Sequence, residues 1–237
     1  MKKRIIFISI LILILLFIIC YTVILQTKNN NIESNDQLKF KTEYEDLNII
    51  KKDDNTNKYI SINVPSDNKI KYLSFNEVVD VIKNQTGIIY LGFPECPWCR
   101  RVLPVFFETC QNYNIESIYY YNALDIRDKK HLDENGEIVT DKEGTTEYYL
   151  LVDLLKEHLT SYDGLNDENI KRIYFPTFVF VKDGKILGTQ ISSVSSYTST
   201  KEEMTEVQKE ELKNIFDNFL NQMYEKTENC NDETTAC

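Results

Sequence analysis

The sequence has few of the residues that interrupt regular structure, with seven glycines and five prolines among 237 residues. This composition excludes a low-complexity chain and disfavours a sandwich of many short strands. Histidine is scarcer still, and neither His131 nor His158 has a cluster of cysteines or carboxylates around it in the sequence. Both are predicted to be surface or structural residues, and no metal site and no cofactor is predicted.

Positive charge is scarce beyond the first four residues. The formal net charge is −10, and it becomes −13 once Lys2, Lys3 and Arg4 are set aside. So acidic a surface argues against nucleic acid and against anionic membrane surfaces as ligands. The acidic stretch from Asp125 to Glu143 lacks the ordered oxygen-ligand spacing of a calcium site, so a solvated loop is predicted there.

The most prominent apolar feature is a long run from Ile5 to Leu25, directly after the basic residues. As a helix, this run would rise about 31 Å, which is enough to cross the hydrocarbon core of a bilayer. We expect a single-pass, uncleaved anchor in the cell membrane, with the rest of the chain on the extracytoplasmic side. Cleavage, or lipidation at Cys20, is the alternative, but the small residue expected just before a lipidated cysteine is missing.

The rest of the chain is long enough to bury one sizeable core, since 42% of all residues are hydrophobic. The predicted organisation is a transmembrane anchor at 1–25, a polar spacer at 26–58, a folded domain at 59–225 with an insertion at about 127–144, and a tail at 226–237 that holds Cys230 and Cys237. The two tail cysteines are expected to form a short disulfide, with a second exchanging dithiol as the alternative.

The hydrophobic periodicity of the domain predicts an α/β fold. The predicted elements are an edge strand at 59–64, a helix at 76–85 capped by Asn76, a strand at 88–93, a helix after Cys96, a strand at 115–121, a helix at 145–159, a strand at 173–181, its antiparallel partner at 185–191 and a helix at 202–224. This order predicts a mixed central sheet flanked by helices, with two parallel strands joined by a crossover helix and then an antiparallel hairpin.

Two cysteines stand at the junction of the first central strand and the helix that follows it, in the motif Cys96-Pro97-Trp98-Cys99. The N-terminus of a helix carries partial positive charge and free N–H groups, which favour the thiolate of Cys96 over its thiol. Three positions along a helix are almost one turn, so the Cys99 sulfur can reach that of Cys96. The spacing therefore predicts a reversible dithiol, with a structural disulfide or half of a zinc site as alternatives.

Several features in register make the domain resemble the thioredoxin superfamily. The cysteine motif follows a strand and opens a helix, Pro104 stands where thioredoxins kink that helix, and Phe175-Pro176-Thr177 begins a strand that runs into a hairpin turn at Asp183-Gly184. The resemblance covers about Leu73 to Tyr224. It extends to small membrane-anchored members, including bacteriocin-transport accessory and disulfide-maturation proteins.

The resemblance implies a thioredoxin-like fold and a role for each residue of the motif. Cys96 would be the exposed nucleophile and Cys99 the buried resolving thiol, with Pro97 and Pro104 in support. Pro176, if its peptide bond is cis, would place the backbone of Phe175 beside the sulfurs, where a substrate strand could pair with it, and Trp98 would add an apolar contact. An ordinary trans proline is the alternative for Pro176.

The sequence departs from the family pattern at Tyr90, which stands where many thioredoxins have a buried carboxylate that accepts the proton of the resolving thiol. Neutral tyrosine cannot accept that proton, so the redox direction stays open. Glu95 should disfavour a thiolate at Cys96. Cys110 lies on the apolar stripe of the helix and is predicted to be a buried hydrophobe.

The resemblance implies a thiol–disulfide oxidoreductase that exchanges disulfides with extracytoplasmic proteins or peptides. A membrane redox partner is expected with it. The alternative function is a membrane-tethered metallochaperone that binds Cu(I) or zinc through Cys96 and Cys99.

Overall fold

The computed structural model describes residues 14–22 and 35–227. Within the predicted anchor, residues 14–22 are helical, and among the described residues no helix is long and apolar enough to cross a membrane. The other residues of the predicted anchor lie outside the described residues, as do Cys230 and Cys237 of the tail.

A five-stranded mixed sheet forms the centre of the domain. Its strands are β1 (Ile70–Tyr72), β2 (Gly87–Leu91), β3 (Ile118–Tyr121), β6 (Thr177–Lys182) and β7 (Lys185–Ile191). They lie in the order β1-β3-β2-β6-β7, in which β1, β3 and β2 run parallel to one another and β6 pairs antiparallel with both β2 and β7. The predicted parallel pair and hairpin are confirmed, and the sequence pattern missed only the short edge strand β1.

Helices cover both faces of this sheet. They are α1 (residues 35–45), α2 (Phe75–Asn84), α3 (Pro97–Cys110), α4 (Thr146–Leu155) and α5 (Glu206–Met223). On one face, Phe178 of β6 packs against Phe106 of α3 and Phe216 of α5, with ring centroids 4.4 and 5.2 Å away. On the other face, Phe75 of α2 lies 6.5 Å from Tyr121. This mixed α/β architecture fits the predicted thioredoxin-like fold.

Side-chain caps fix the start of several helices. Helix α2 is capped by Ser74 rather than by the predicted Asn76, because the Glu77 carboxylate accepts a hydrogen bond of 2.7 Å from the Ser74 N–H in a capping box. Thr205 forms the equivalent cap of α5 with Gln208. As a result, α5 begins at Glu206 and not at the predicted position 202.

The predicted polar spacer is part of the folded domain from residue 35 onward, which corrects the domain boundary. Residues 35–45 form helix α1, and its side chains Phe40 and Tyr44 are fully buried in the core. Their spacing of four residues places both on one helical face. The polar composition of the rest of the segment explains why the sequence analysis predicted a solvated spacer there.

The predicted edge strand at residues 59–64 has no strand partner. Ile62 and Val64 still alternate into the core, but their backbone groups pair with side chains of the preceding segment. The Ile62 N–H and carbonyl bond to the Asn48 amide, and the Val64 N–H donates to Glu45 at 2.8 Å. Because these side chains occupy the backbone groups, the extended segment cannot join the sheet edge.

The predicted insertion contains a separate two-stranded hairpin, with β4 (Lys129–Leu132) paired to β5 (Ile138–Lys142). Gly136 in its turn has a φ of +79°, a conformation that favours glycine. The hairpin is largely exposed, whereas Asp128 just before it is buried.

Candidate functional site

The site forms where β2 ends and α3 begins. Cys96 occupies the N-cap of α3, and its sulfur accepts a hydrogen bond of 3.2 Å from the backbone N–H of Cys99. Pro97 is the first helical residue, a position where the missing N–H removes no intrahelical bond. Both cysteines are thiols in this structure. The motif therefore presents one sulfur to the free N–H groups of a helix end.

The loop before β6 closes the site from the other side. The Phe175–Pro176 peptide bond is cis, as predicted, and the Phe175 carbonyl lies 3.6 Å from the Cys96 sulfur as the acceptor of its S–H. The Phe175 ring also packs edge-on against Phe93, 5.4 Å away, in the turn that leads to Cys96. Residues from two distant parts of the chain thus meet at one sulfur.

Cys96 is less accessible than the predicted exposed nucleophile, which is a correction. It is 3% exposed, because it lies between the first turn of α3 and the Phe175–Pro176 loop. Pro97 is exposed beside it, and Trp98 is half-buried with its ring edge-on to Tyr197 at 5.6 Å. Trp98 and Pro97 therefore present the open surface next to the sulfur.

The two thiols have opposite proton affinities. Hydrogen bonding from the Cys99 thiol lowers the pKa of Cys96, and the backbone N–H groups of Cys99 and Trp98 add to this. Burial raises the pKa of Cys99 well above its usual value, and the adjacent Cys96 charge raises it further. Of the two sulfurs, Cys96 therefore ionises first, while Cys99 is favoured as a thiol.

Arg127 also acts on Cys96 and was missed by the sequence analysis. Its positive charge lowers the pKa of Cys96, and its guanidinium stacks on the Phe175 ring at 4.7 Å. Glu95, predicted to oppose a thiolate, is exposed, and the pKa of Cys96 is lowered despite it. The residues around Arg127 in the sequence give no indication of this role, because Arg127 comes close to Cys96 only in the folded structure.

Tyr90 lies in β2 and is fully buried. Its side chain lowers the pKa of Cys99, and its hydroxyl lies 2.7 Å from the hydroxyl of Tyr44 in α1. Burial raises the pKa of both tyrosines well above the usual value, so both remain neutral. The predicted neutral tyrosine is thus confirmed, and it acts on the pKa of Cys99.

Arg100, in the first turn of α3, is 1% exposed although its side chain is charged. Its guanidinium donates to the carbonyls of Tyr44 and Pro94 at 2.8 and 3.0 Å and to the Asn48 side-chain oxygen at 2.6 Å, and its Nε also donates to the Ile60 carbonyl. Because each of the three guanidinium nitrogens donates to an oxygen, the buried charge is well compensated. These bonds fasten the N-terminal segment to the active-site end of α3.

The remaining predicted residues lie away from the two sulfurs. Pro104 is on the exposed side of α3, Cys110 is buried at the far end of that helix as expected, and His131 pairs with Asp141 in the exposed hairpin. Within residues 14–22 and 35–227, no three histidine, cysteine or acidic side chains lie together as a metal site.

A search against known protein families finds no match, and no curated protein matches the chain. Among solved structures, the chain is similar to oxidised thioredoxin O2 from Arabidopsis thaliana, with 15% identity over 67% of this chain and 96% of that protein. The TM-score is 0.33. A likeness this weak has no weight of its own, so the chemistry of the site depends on the geometry around Cys96 and Cys99.

Proposed function

We propose that the protein is a thiol–disulfide oxidoreductase that exchanges disulfides with proteins or peptides through Cys96 and Cys99. The observation that carries this proposal is the asymmetry of the pair, with a stabilised thiolate at a helix N-terminus and a protonated thiol one turn away. A static disulfide or a packing role requires no such asymmetry. Exchange does, because only a thiolate attacks a disulfide.

The reaction balances without any added oxidant or reductant. The Cys96 thiolate attacks one sulfur of a substrate disulfide, forming a mixed disulfide and releasing the other substrate sulfur as a thiolate, which takes up a proton. Cys99 then loses its proton and attacks the Cys96 sulfur, so that the Cys96–Cys99 disulfide forms and the second substrate thiol leaves. The same steps in reverse oxidise a substrate dithiol.

The Phe175–Pro176 loop is the proposed docking edge for the substrate chain, with Trp98 as an apolar contact beside it. The Phe175 carbonyl already accepts a hydrogen bond from Cys96, so it points into the space that a substrate backbone would enter. Because Cys96 is nearly covered, the substrate sulfur has to approach along the exposed side of Pro97.

The proposed location is the extracytoplasmic face of the cell membrane, with a membrane redox partner. The apolar run from Ile5 to Leu25 behind a basic N-terminus supports it. The redox direction is measurable as the reduction potential of the pair, near about −270 mV for a reductase and about −120 mV for an oxidant. Since stabilising a thiolate favours the reduced form, the lowered pKa of Cys96 shifts the potential towards the oxidant value.

Trapping tests the proposal directly. In a Cys99→Ala variant the mixed disulfide cannot be resolved, so proteins should accumulate on Cys96 in cells and be released by dithiothreitol. A Cys96→Ala/Cys99→Ala double variant is the matched control and should retain none. If Cys99→Ala holds no adducts while the purified protein binds Cu(I) and thereby blocks alkylation of Cys96, the metallochaperone takes the place of the oxidoreductase.

A further inference from the structure

The resolving thiol presents a chemical problem in this structure. Cys99 is fully buried, and attack on a mixed disulfide requires its thiolate in a site that disfavours charge. No carboxylate is among the groups that act most strongly on the pKa of Cys99, and the side chain that lowers it is Tyr90. The stabilisation of the thiolate must therefore come from hydrogen-bond donors.

We infer that Tyr90 is a catalytic residue that donates a hydrogen bond to the Cys99 thiolate as the mixed disulfide is released, and that Tyr44 positions and polarises it. This inference rests on the proposed function and names a part of its second step. No new reactant is involved, because the proton lost by Cys99 is taken up by the departing substrate thiolate.

Neighbouring groups on several sides restrict the position of the Tyr90 side chain. Its ring is stacked between Tyr120 and Phe178, with centroids 5.5 and 5.0 Å away. The hydroxyl lies over Gly92, where an added Cβ would come within 2.2 Å of it. Only glycine at position 92 leaves room for the phenol beneath the first turn of α3.

The direction of the hydrogen bonds follows from the charge. A thiolate can only accept, so Tyr90 must donate to Cys99 once the thiol ionises. The Tyr90 oxygen is then free to accept from the Tyr44 hydroxyl, 2.7 Å away. Donation from Tyr44 makes the Tyr90 proton a better donor, because hydrogen bonds in a chain polarise one another.

Tyr44 is held in place by the same segment that closes the core. Its ring stacks on Phe40 at 4.4 Å, and its backbone carbonyl accepts from the buried Arg100 guanidinium at 2.8 Å. Burial keeps both phenols protonated, so both remain donors throughout the pH range of thiol exchange. Helix α1 therefore contributes chemistry to the site as well as packing.

A phenol and a carboxylate leave different signatures in the pH dependence. A carboxylate base adds its own titration to the resolution step, whereas a phenol donor only shifts the pH at which Cys99 ionises. We expect the release rate to rise with pH in a single transition, which moves to higher pH when the Tyr90 hydroxyl is removed.

Stopped-flow mixing of the reduced full-length protein with a disulfide-linked, self-quenched fluorescent peptide separates the two steps. The first phase reports attack by Cys96 and the second reports release by Cys99. In Tyr90→Phe the second phase should slow by about tenfold or more near neutral pH, the size expected for a hydrogen bond to a charged group. The first phase should stay unchanged. Tyr44→Phe should slow the second phase by about threefold, since it removes only a neutral hydrogen bond.

Tyr113→Phe is the matched control, because it also removes one buried phenol hydroxyl with a 2.7 Å hydrogen bond, but at the far end of α3. If Tyr90→Phe leaves the second phase and its pH transition like those of Tyr113→Phe, the inference is overturned. Tyr44→Phe provides the same comparison if Tyr90→Phe does not fold. If the unaltered protein shows no first phase, the proposed function itself fails.

Discussion

Helix α3 contains a buried thiol near each end, Cys99 and Cys110, and the groups around the two sulfurs differ. Cys99 and Cys110 both have a pKa raised well above the usual value by burial, and each has a tyrosine nearby. At the end that carries the Cys96–Cys99 pair, the Tyr90 side chain lowers the pKa of Cys99. At the far end the Tyr113 hydroxyl donates instead to the Asp217 carboxylate at 2.7 Å, and that carboxylate raises the pKa of Cys110 further.

Burial alone therefore does not distinguish Cys99, the proposed resolving thiol, from Cys110. What differs is the partner of the nearest hydroxyl and the presence of a second sulfur with stabilising N–H groups. At the N-terminal end of α3, the backbone N–H groups lower the pKa of Cys96, and the Tyr90 side chain lowers that of Cys99. At the other end the Asp217 carboxylate adds to the effect of burial, so both favour the thiol form of Cys110.

The largest expected difference is in exchange itself. Cys96→Ser should reduce the rate of insulin-disulfide reduction, or of dithiol oxidation, to that of the uncatalysed reaction, because the pKa values of the buried thiols Cys99 and Cys110 are both raised. Cys110→Ser should leave the rate unchanged. A comparable loss of activity in a folded Cys110→Ser protein would break the distinction between the two ends.

The next largest difference concerns stability at the active-site end. Arg100→Met should lower the free energy of unfolding by about 3 kcal/mol, because it leaves several buried carbonyls without donors. The adjacent Arg101 pairs with the exposed Glu203, so Arg101→Met should cost less than about 1 kcal/mol. Urea denaturation monitored by circular dichroism measures both. Equal losses would show that Arg100 does not fasten the N-terminal segment.

A smaller effect is expected on the pH dependence of Cys96. Its lowered pKa means that alkylation by iodoacetamide persists below the pH at which an unfolded cysteine loses reactivity, and Arg127→Gln should raise the midpoint by about half a pH unit. Since the folded-state pKa is depressed, the stability gained from this thiolate is fully present above the unfolded pKa and is lost as pH falls through the folded value. Lys129→Gln, in the same insertion but exposed, should leave the midpoint in place.

The smallest expected effect is that of Cys110→Ala. Losing one buried sulfur should lower the free energy of unfolding by about 1 kcal/mol and leave the alkylation midpoint of Cys96 unchanged. Thermal unfolding followed by the alkylation assay tests both expectations. A shifted midpoint would mean that the two ends of the helix are coupled.

The parts of the site that could be predicted are those specified by neighbouring residues. Cys96 and Cys99 are placed by a strand, a helix start and their spacing, and the hairpin turn by Asp183-Gly184, both of which have positive φ. The proline loop could also be located, because Pro176 opens a strand that was itself recognisable. In each case the chemistry that decides the structure lies within a few residues.

The parts that could not be predicted depend on contacts between distant segments. Arg127 acts on Cys96 only because the insertion starts beside the Phe175 loop, and Arg100 is buried only because residues 44–60 supply its acceptors. Tyr44 lies in a segment whose composition indicates solvent exposure. Its spacing from Phe40 was the one available signal, and two apolar positions are too few to outweigh the polar residues around them.

The packing of α1 against the domain also limits where the proposed exchange can take place. If the chain is anchored up to Leu25, ten residues of chain join the anchor to residue 35 of helix α1, and ten residues span roughly 35 Å at most. With the predicted spacer of residues 26–58, that reach would have been several times greater. If the proposed anchor is correct, Cys96 and Cys99 can therefore react only with substrates that come close to the bilayer surface.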